Sequence, residues 1–289
     1  MPESSTRTIR KRTIALALFA VLLLAAALVA WKAWRDTTGD PAILRTTVTL
    51  PDMPAGAEPV TVALISDIHV AGPDMPPERV ERIVAQINAL APDAVLIAGD
   101  LVSEKKVGTK IYGPAEIVRP LTGFDARLGT ILVPGNHDHW YGWPRLKKAL
   151  SQTDISVLEN DAIQAGPLVI GGLDDEYTGH DDIARTLAAM DELEGAHVFL
   201  GHSPDSLPDL PEGSVILAGH THCGQITLPL IGALAVPSRY GDRYECGRID
   251  EGSRAAIVGA GLGTSVLPIR FNTRPEVWLI EFRGADDGR

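Results

Sequence analysis

Five short apolar runs, each ending abruptly in a polar block, constrain this chain more than any other feature. Val60–Ile65 runs into Ser66-Asp67-Ile68-His69, Ala94–Ala98 into Gly99-Asp100, and Thr130–Val133 into Pro134-Gly135-Asn136-His137-Asp138. His197–Leu200 runs into Gly201-His202, and Val215–Ala218 into Gly219-His220-Thr221-His222. Runs this short, flanked by glycine and proline, read as buried strands. Helical patterns lie between them. Pro76-Pro77 opens a stretch with Val80, Ile83, Val84, Ile87 and Leu90 on one face, and proline favours a helix start. Pro144–Leu150 reads as a short helix, and Asp181–Leu193 as another with Ile183, Leu187 and Met190 on one side. Val157–Ile170 reads as a hairpin turning near Gly166-Pro167, and Ala255–Val258 and Val277–Phe282 as later strands. Alternating strands and helices predict an α/β domain, in which ligands bind beyond the carboxyl ends of the strands. All five polar blocks fall at such ends.

The N-terminus is of a different kind. Ile14 to Trp31 is an unbroken run of 18 apolar residues, near the minimum for a membrane-spanning helix. Arg7, Arg10, Lys11 and Arg12 precede it, and Trp31 and Trp34 stand at its far end, where interfacial aromatics belong. The expected organisation is a basic cytoplasmic segment over 1–13, a single-pass membrane anchor over 14–34, a tether over 35–59 containing four prolines, and a folded domain over 60–285 on the extracytoplasmic side. A cleaved signal peptide is the rival reading, but Ala25-Ala26-Ala27 lies inside the apolar run and Leu28-Val29-Ala30 has a large residue at −3.

Charge removes other classes. The chain carries −11 overall. Residues 1–35 carry +5, so the remainder carries −16. So acidic a domain lacks the basic footprint of nonspecific nucleic-acid binding, and no nucleic-acid partner is expected. Hydrophobic residues at 45% exclude global disorder, and two cysteines exclude a disulfide scaffold or a cysteine-only zinc module.

The polar blocks together supply Asp67, His69, Asp100, Asn136, His202, His220 and His222. Carboxylate, amide oxygen and imidazole in this mixture suit Mn, Fe or Zn better than Mg or Ca. Seven ligands exceed what one tetrahedral ion takes and suit two divalent ions sharing a carboxylate.

The blocks, in order, follow the pattern D-x-H, G-D, G-N-H-[DE], G-H, G-H-x-H. In this the chain resembles the calcineurin-like metallophosphoesterases. Residues 219–226 (GHTHCGQI) and 261–278 (GLGTSVLPIRFNTRPEVW) resemble the small membrane-associated bacterial branch of YkuE/YaeI type. The resemblance implies a four-layer α/β/β/α sandwich with a dimetal site at one edge. It implies Asp67, His69 and His222 on one metal, Asn136, His202 and His220 on the other, and Asp100 bridging. It makes His137 a catalytic residue facing the substrate phosphate rather than a ligand. The implied reaction is hydrolysis of a phosphodiester or phosphomonoester by a metal-bridging hydroxide attacking phosphorus in line. With the anchor, it implies a substrate at the bacterial cytoplasmic membrane or envelope, such as a lipid-linked phosphate. Alternatives are a pyrophosphatase of UDP-2,3-diacylglucosamine type, a protein or nucleotide phosphatase, and a non-catalytic metal-binding scaffold.

Several residues fall outside the pattern. Cys223 stands where relatives are expected to have glycine, so its thiol touches a metal or pairs with Cys246, the latter if the domain is exported. His139 and Trp140 are read as loop packing or pocket lining, His180 as a surface loop residue, and His197 as a packed or capping histidine. Asp174-Asp175-Glu176 is read as a solvated loop. Arg239 and Arg270 are read as surface or structural pairs, with phosphate binding as the alternative.

Overall fold

In chain order the elements are α1 (Glu3–Thr38), β1 (Ala42–Leu50), β2 (Val60–Ile65), α2 (Pro77–Asn88), β3 (Ala94–Ala98), α3 (Pro114–Val118), β4 (Thr130–Val133), α4 (Asn136–Leu150), β5 (Ser156–Val157), β6 (Asp161–Ala165) and β7 (Leu168–Gly172). There follow α5 (Ile183–Asp191), β8 (Ala196–Leu200), β9 (Val215–Ala218), β10 (Thr227–Leu228), β11 (Gly232–Ala233), β12 (Gly247–Glu251), β13 (Arg254–Val258) and β14 (Glu276–Gly284). The computed structural model describes residues 3–103 and 107–285, with side chains from residue 11 onward. Arg7 and Arg10, expected on the cytoplasmic side, lie outside the described side chains.

Two six-stranded mixed sheets form the body. One has the order β1-β14-β2-β3-β4-β5 and the other β12-β13-β9-β8-β7-β6. In the first, β2, β3, β4 and β5 run parallel and β14 antiparallel to β2; in the second, β7, β8, β9 and β13 run parallel. Leu64, Leu96 and Val133 from the first sheet and Ile170, Val198, Leu217 and Ile257 from the second make one buried cluster between them. Val95, Ile97 and Leu132 point the other way, onto Ile83, Ile87 and Leu146 of the first helical layer. Val169, Phe199 and Ile216 pack with Met190 of α5 on the far side. Strand faces alternate, so each sheet is apolar on both faces, and this is the expected four-layer sandwich.

Residues 35–59 are not the simple tether expected. Helix α1 continues to Thr38, and Ala42–Leu50 forms β1, parallel to β14 from Ala42 opposite Glu276 to Leu50 opposite Gly284. Between Pro41 and Pro51 the chain has no proline, and Val48 and Leu50 are buried while Thr47 and Thr49 are exposed. The prolines punctuate an edge strand rather than mark a linker. Beyond the body, α1 is long and apolar enough to cross a membrane over Lys11–Thr38, with a mean hydropathy of 2.8 and none of its apolar window buried.

Candidate active site

The ends of β2, β3 and β4, neighbours in one sheet, meet the ends of β8 and β9, neighbours in the other. Asp67, His69, Asp100, Asn136, His202, His220 and His222 are all buried there, and all seven residues expected as ligands come together. The Nε2 atoms of His69 and His222 stand 3.1 Å apart, and Asp67 Oδ1 is 3.4 Å from His222 Nε2. His202 Nε2 is 3.0 Å from Asn136 Oδ1 and 3.1 Å from His220 Nδ1. Asp100 stands between the two groups: its Oδ2 is 3.6 Å from His69 Nε2 and 3.2 Å from His202 Nε2.

Backbone carbonyls fix the imidazoles. His69 Nδ1 donates to Val102 O at 2.7 Å, and His202 Nδ1 donates to Ala98 O at 2.8 Å. A carbonyl only accepts, so Nε2 of each ring is the atom aimed into the cluster. That arrangement, with one nitrogen tied to the fold and the other aimed at neighbouring donors around a common centre, is how metal-ligating histidines are held. The donor set therefore fits divalent cations.

Local backbone strain shapes the site. Asp67, His69, Asp100, His220 and His222 all have positive φ, between 48° and 70°. Side chains avoid this region, and strained residues cluster at functional sites. Glycines make the turns possible. Gly99 has φ 76°, and a Cβ there would lie 2.8 Å from both Gly135 N and His202 Nδ1. A Cβ on Gly135 would collide with Asp100.

Asp138 takes no part in the ligand cluster but holds it. Its carboxylate accepts amide hydrogens from Asp100 at 2.9 Å, Leu101 at 2.9 Å, Val102 at 3.3 Å and Gly135 at 3.0 Å. It thus clamps the turn after β3 to the start of α4. The amide of His137, at that same helix start, donates to Asp100 Oδ1 at 2.8 Å.

Charge is distributed accordingly. Burial pushes Asp67 up to about 6, with Asp100 adding to the rise. Burial also raises Asp100, but the charge and hydrogen bond of His202 outweigh it and hold Asp100 well below the ordinary range. Burial lowers His202, yet Asp100 overcomes it and raises His202 well above its ordinary value. Burial, then the charge of His202, takes His220 down to about 3; burial and neighbouring His69 keep His222 neutral as well. A proton on His202 thus supplies the positive charge that the buried carboxylates require, a place a metal ion would fill.

His137 is half-buried beside the cluster, its ring 4.8 Å from that of His69, with Nε2 3.3 Å from Ser265 Oγ. It borders a cavity of about 480 Å³ whose outer wall includes Trp140, Tyr177, Leu234 and Leu267. Trp140 therefore lines the pocket, whereas His139 turns away: its Nε2 is 2.7 Å from Asp174 and its ring stacks on His180 at 4.1 Å. Asp174 and Asp175 are buried, not solvated, because they serve these local bonds. Arg270 is fully buried and donates to Ala260 O at 2.6 Å and Gly261 O at 3.2 Å, so it ties up the loop rather than offering itself to phosphate. Arg239 pairs with Glu176 and Asp209. Cys223 and Cys246 form a disulfide, with Cα atoms 4.9 Å apart. Ser265 and Tyr177 are site neighbours that the sequence blocks did not signal, since each lies in a loop remote from them.

The profile of calcineurin-like phosphoesterases matches residues 60–224, more than half of the chain. The chain belongs to the calcineurin-like phosphoesterase family. It is accordingly a metal-dependent phosphoesterase by family, a hydrolase. The Bacillus subtilis metallophosphoesterase YkuE is 28% identical over 81% of this chain and 82% of its own length. A Helicobacter pylori metallophosphoesterase is 28% identical over 86% of this chain and 65% of its own length. A transmembrane protein with metallophosphoesterase domain from Danio rerio is 28% identical over 85% and 58%. The chain thus spans less than two thirds of the latter two. Among solved structures, the Haemophilus influenzae NAD nucleotidase aligns over 71% of this chain and 46% of its own, with TM-score 0.46 and 16% identity.

Proposed function

We propose that this protein is a binuclear phosphoesterase, favouring diesters, that works at the face of a membrane on a substrate held there. The observation that carries the reading is Asp100, one carboxylate placed between two sets of donors, 3.6 Å from His69 Nε2 and 3.2 Å from His202 Nε2. Asp67, His69 and His222 would hold one ion, and Asn136, His202 and His220 the other, with Asp100 shared. Mn, Fe or Zn suits that donor mixture. When bound, the ions supply Lewis-acid activation of a water and neutralise charge on the phosphoryl oxygens. The chain's own residues do the rest. Asp138 fixes the turn that carries Asp100, and the carbonyls of Ala98 and Val102 hold the rings of His202 and His69. His137, set by its amide bond to Asp100 and its contact with Ser265, gives a proton to the leaving oxygen, worth roughly 10²–10⁴ in rate.

The placement rests on α1 and on the disulfide. A basic start and a tryptophan-flanked end orient α1 with its N-terminus in the cytoplasm. A disulfide between Cys223 and Cys246 suits an oxidising compartment, which supports a catalytic domain on the extracytoplasmic side of a bacterial cytoplasmic membrane.

Hydrolysis of bis-p-nitrophenyl phosphate and p-nitrophenyl phosphate by Mn²⁺-loaded protein tests the reading. Faster diester hydrolysis is expected, with loss of both activity and metal in Asp100→Asn. His137→Ala is expected to lose about 10²-fold or more in kcat while keeping two ions per chain by elemental analysis. Metal lost along with activity in that variant would make His137 a ligand.

A further inference from the structure

The exposed apolar surface of the domain is not scattered. Among the described residues, eleven large apolar side chains outside α1 are exposed, and six of them sit on two loops: Leu230, Ile231 and Leu234, and Val266, Leu267 and Ile269. Gln225 joins the loops, its Nε2 donating to Ser265 O at 3.0 Å and Leu267 O at 3.1 Å. Both stretches are free of charge, from Gly224 to Ser238 and from Ala255 to Ile269, in a domain that otherwise carries the −16 of the chain.

The same unit touches the active site at one end and α1 at the other. Ser265 Oγ is 3.3 Å from His137 Nε2. Five residues later, the Arg270 amide donates to Thr37 Oγ1 of α1 at 2.7 Å, and the Asn272 amide donates to Asp36 at 3.0 Å. Lys32 lies over the Phe271 ring at 4.9 Å. Five residues span at most about 18 Å, so Ser265 lies no further than that from Arg270, which is bonded to the last turn of α1. Leu234, Val266 and Leu267 line the cavity that opens from the cluster, and Leu230 at the hairpin tip is fully exposed. The two loops therefore form an apolar trough beside the site, and the chain that continues from one of them is bonded to the last turn of α1.

We infer that this trough is an acyl-chain subsite: the substrate is a phosphorylated amphiphile drawn from the bilayer, its chain lying along Leu234 and Leu267 while its phosphoester reaches the cluster. Continuity with the apolar helix selects a lipid chain as the occupant, and the neutrality of both loops lets them approach a surface that the acidic remainder of the domain would avoid. The inference rests on the phosphoesterase reading and deepens it.

The test takes the full-length protein in nanodiscs, loaded with Mn²⁺, and p-nitrophenyl alkyl phosphates with methyl, butyl, hexyl and octyl chains. The expected kcat/KM rises about fourfold for each methylene that enters the trough, through KM. Leu234→Asp and Leu267→Asp, verified as folded by thermal melting, should each flatten the series. A flat series in the wild type, with the methyl ester still hydrolysed in a metal-dependent way, overturns the subsite and leaves the phosphoesterase reading standing. A flat series with concentration-dependent dimers would assign the apolar face to a second copy and equally overturn it. If no ester is cleaved, the diester preference fails and binding decides the subsite. Dodecyl phosphate brominated at its second and third carbons should then quench Trp140, read as the difference between wild type and Trp140→Phe, where 2,3-dibromopropyl phosphate at the same concentration does not. An unquenched Trp140 overturns the proposal.

Discussion

At the scale of single residues, the site is a contest between protons and cations. Asp67 is pushed up to about 6 by burial, so below that pH an entering ion must displace its proton. The apparent Kd for Mn²⁺ is expected to weaken as pH falls, and more steeply below about 6 than above it, because the Asp67 proton is then displaced along with that of His202, measured by competition with a chelating dye. The stability linkage has the opposite sign. A carboxyl raised in the fold lends stability below its ordinary value of 3.8, and that contribution is lost as pH rises through about 6. The rise in Tm on adding metal should therefore grow between pH 4 and 7. Asp138→Ala would leave four amides without their acceptor. It should cost about 3 kcal/mol or more in urea unfolding and lower metal occupancy, although Asp138 touches no ion. The residues that cluster were legible in the sequence because each is a polar side chain placed directly after an apolar run. The clamp by Asp138 was not, because its partners are backbone amides that a sequence shows only as residue names. Ser265 and Tyr177 were hidden for another reason: they reach the site from loops with no periodic pattern around them.

At the scale of elements, the strands that carry the polar blocks were legible to within a residue or two because their sheets are buried on both faces and compel continuous apolar runs, whereas β10, β11 and β12 were not read. Helix α4 was half legible. Pro144–Leu150 was expected, but the helix begins at Asn136 and breaks at Gly142, where φ is 113°. Its first turn is built from motif residues chosen for chemistry, not for helix propensity. Strand β1 was misread because its bounding prolines looked like a linker and its inward set, Leu44, Thr46, Val48 and Leu50, includes a threonine. The disulfide closes a loop of 23 residues that contains β10, β11 and the cavity-lining Ile226 and Leu234. Loop closure of that length is worth about 3 kcal/mol. Cys246→Ser should accordingly lower Tm by about 6–12 °C in a calorimetric scan, with the same shift from reductant on the wild type and none on the variant.

At the scale of the whole molecule, α1 is not merely appended. Thr37 and Asp36 accept amides of Arg270 and Asn272, and Arg79 donates to Gly39 O at 3.0 Å. A chain beginning at Asp40 loses those three bonds. It should still fold, with Tm lowered by about 6–12 °C, since each bond is worth about 1 kcal/mol. Only Gly39, Asp40 and Pro41 separate α1 from β1, and Gly39 is itself held. With no slack between anchor and body, the enzyme cannot range outward like a head on a flexible stalk. On the proposed reading, with α1 in a bilayer and the substrate held in the same leaflet, the catalytic centre would sweep a thin slab parallel to the lipid, and its encounters would scale with substrate per unit area and not per unit volume. Dilution of the surrounding medium would leave its turnover untouched, whereas diluting the leaflet with inert lipid would slow it in proportion.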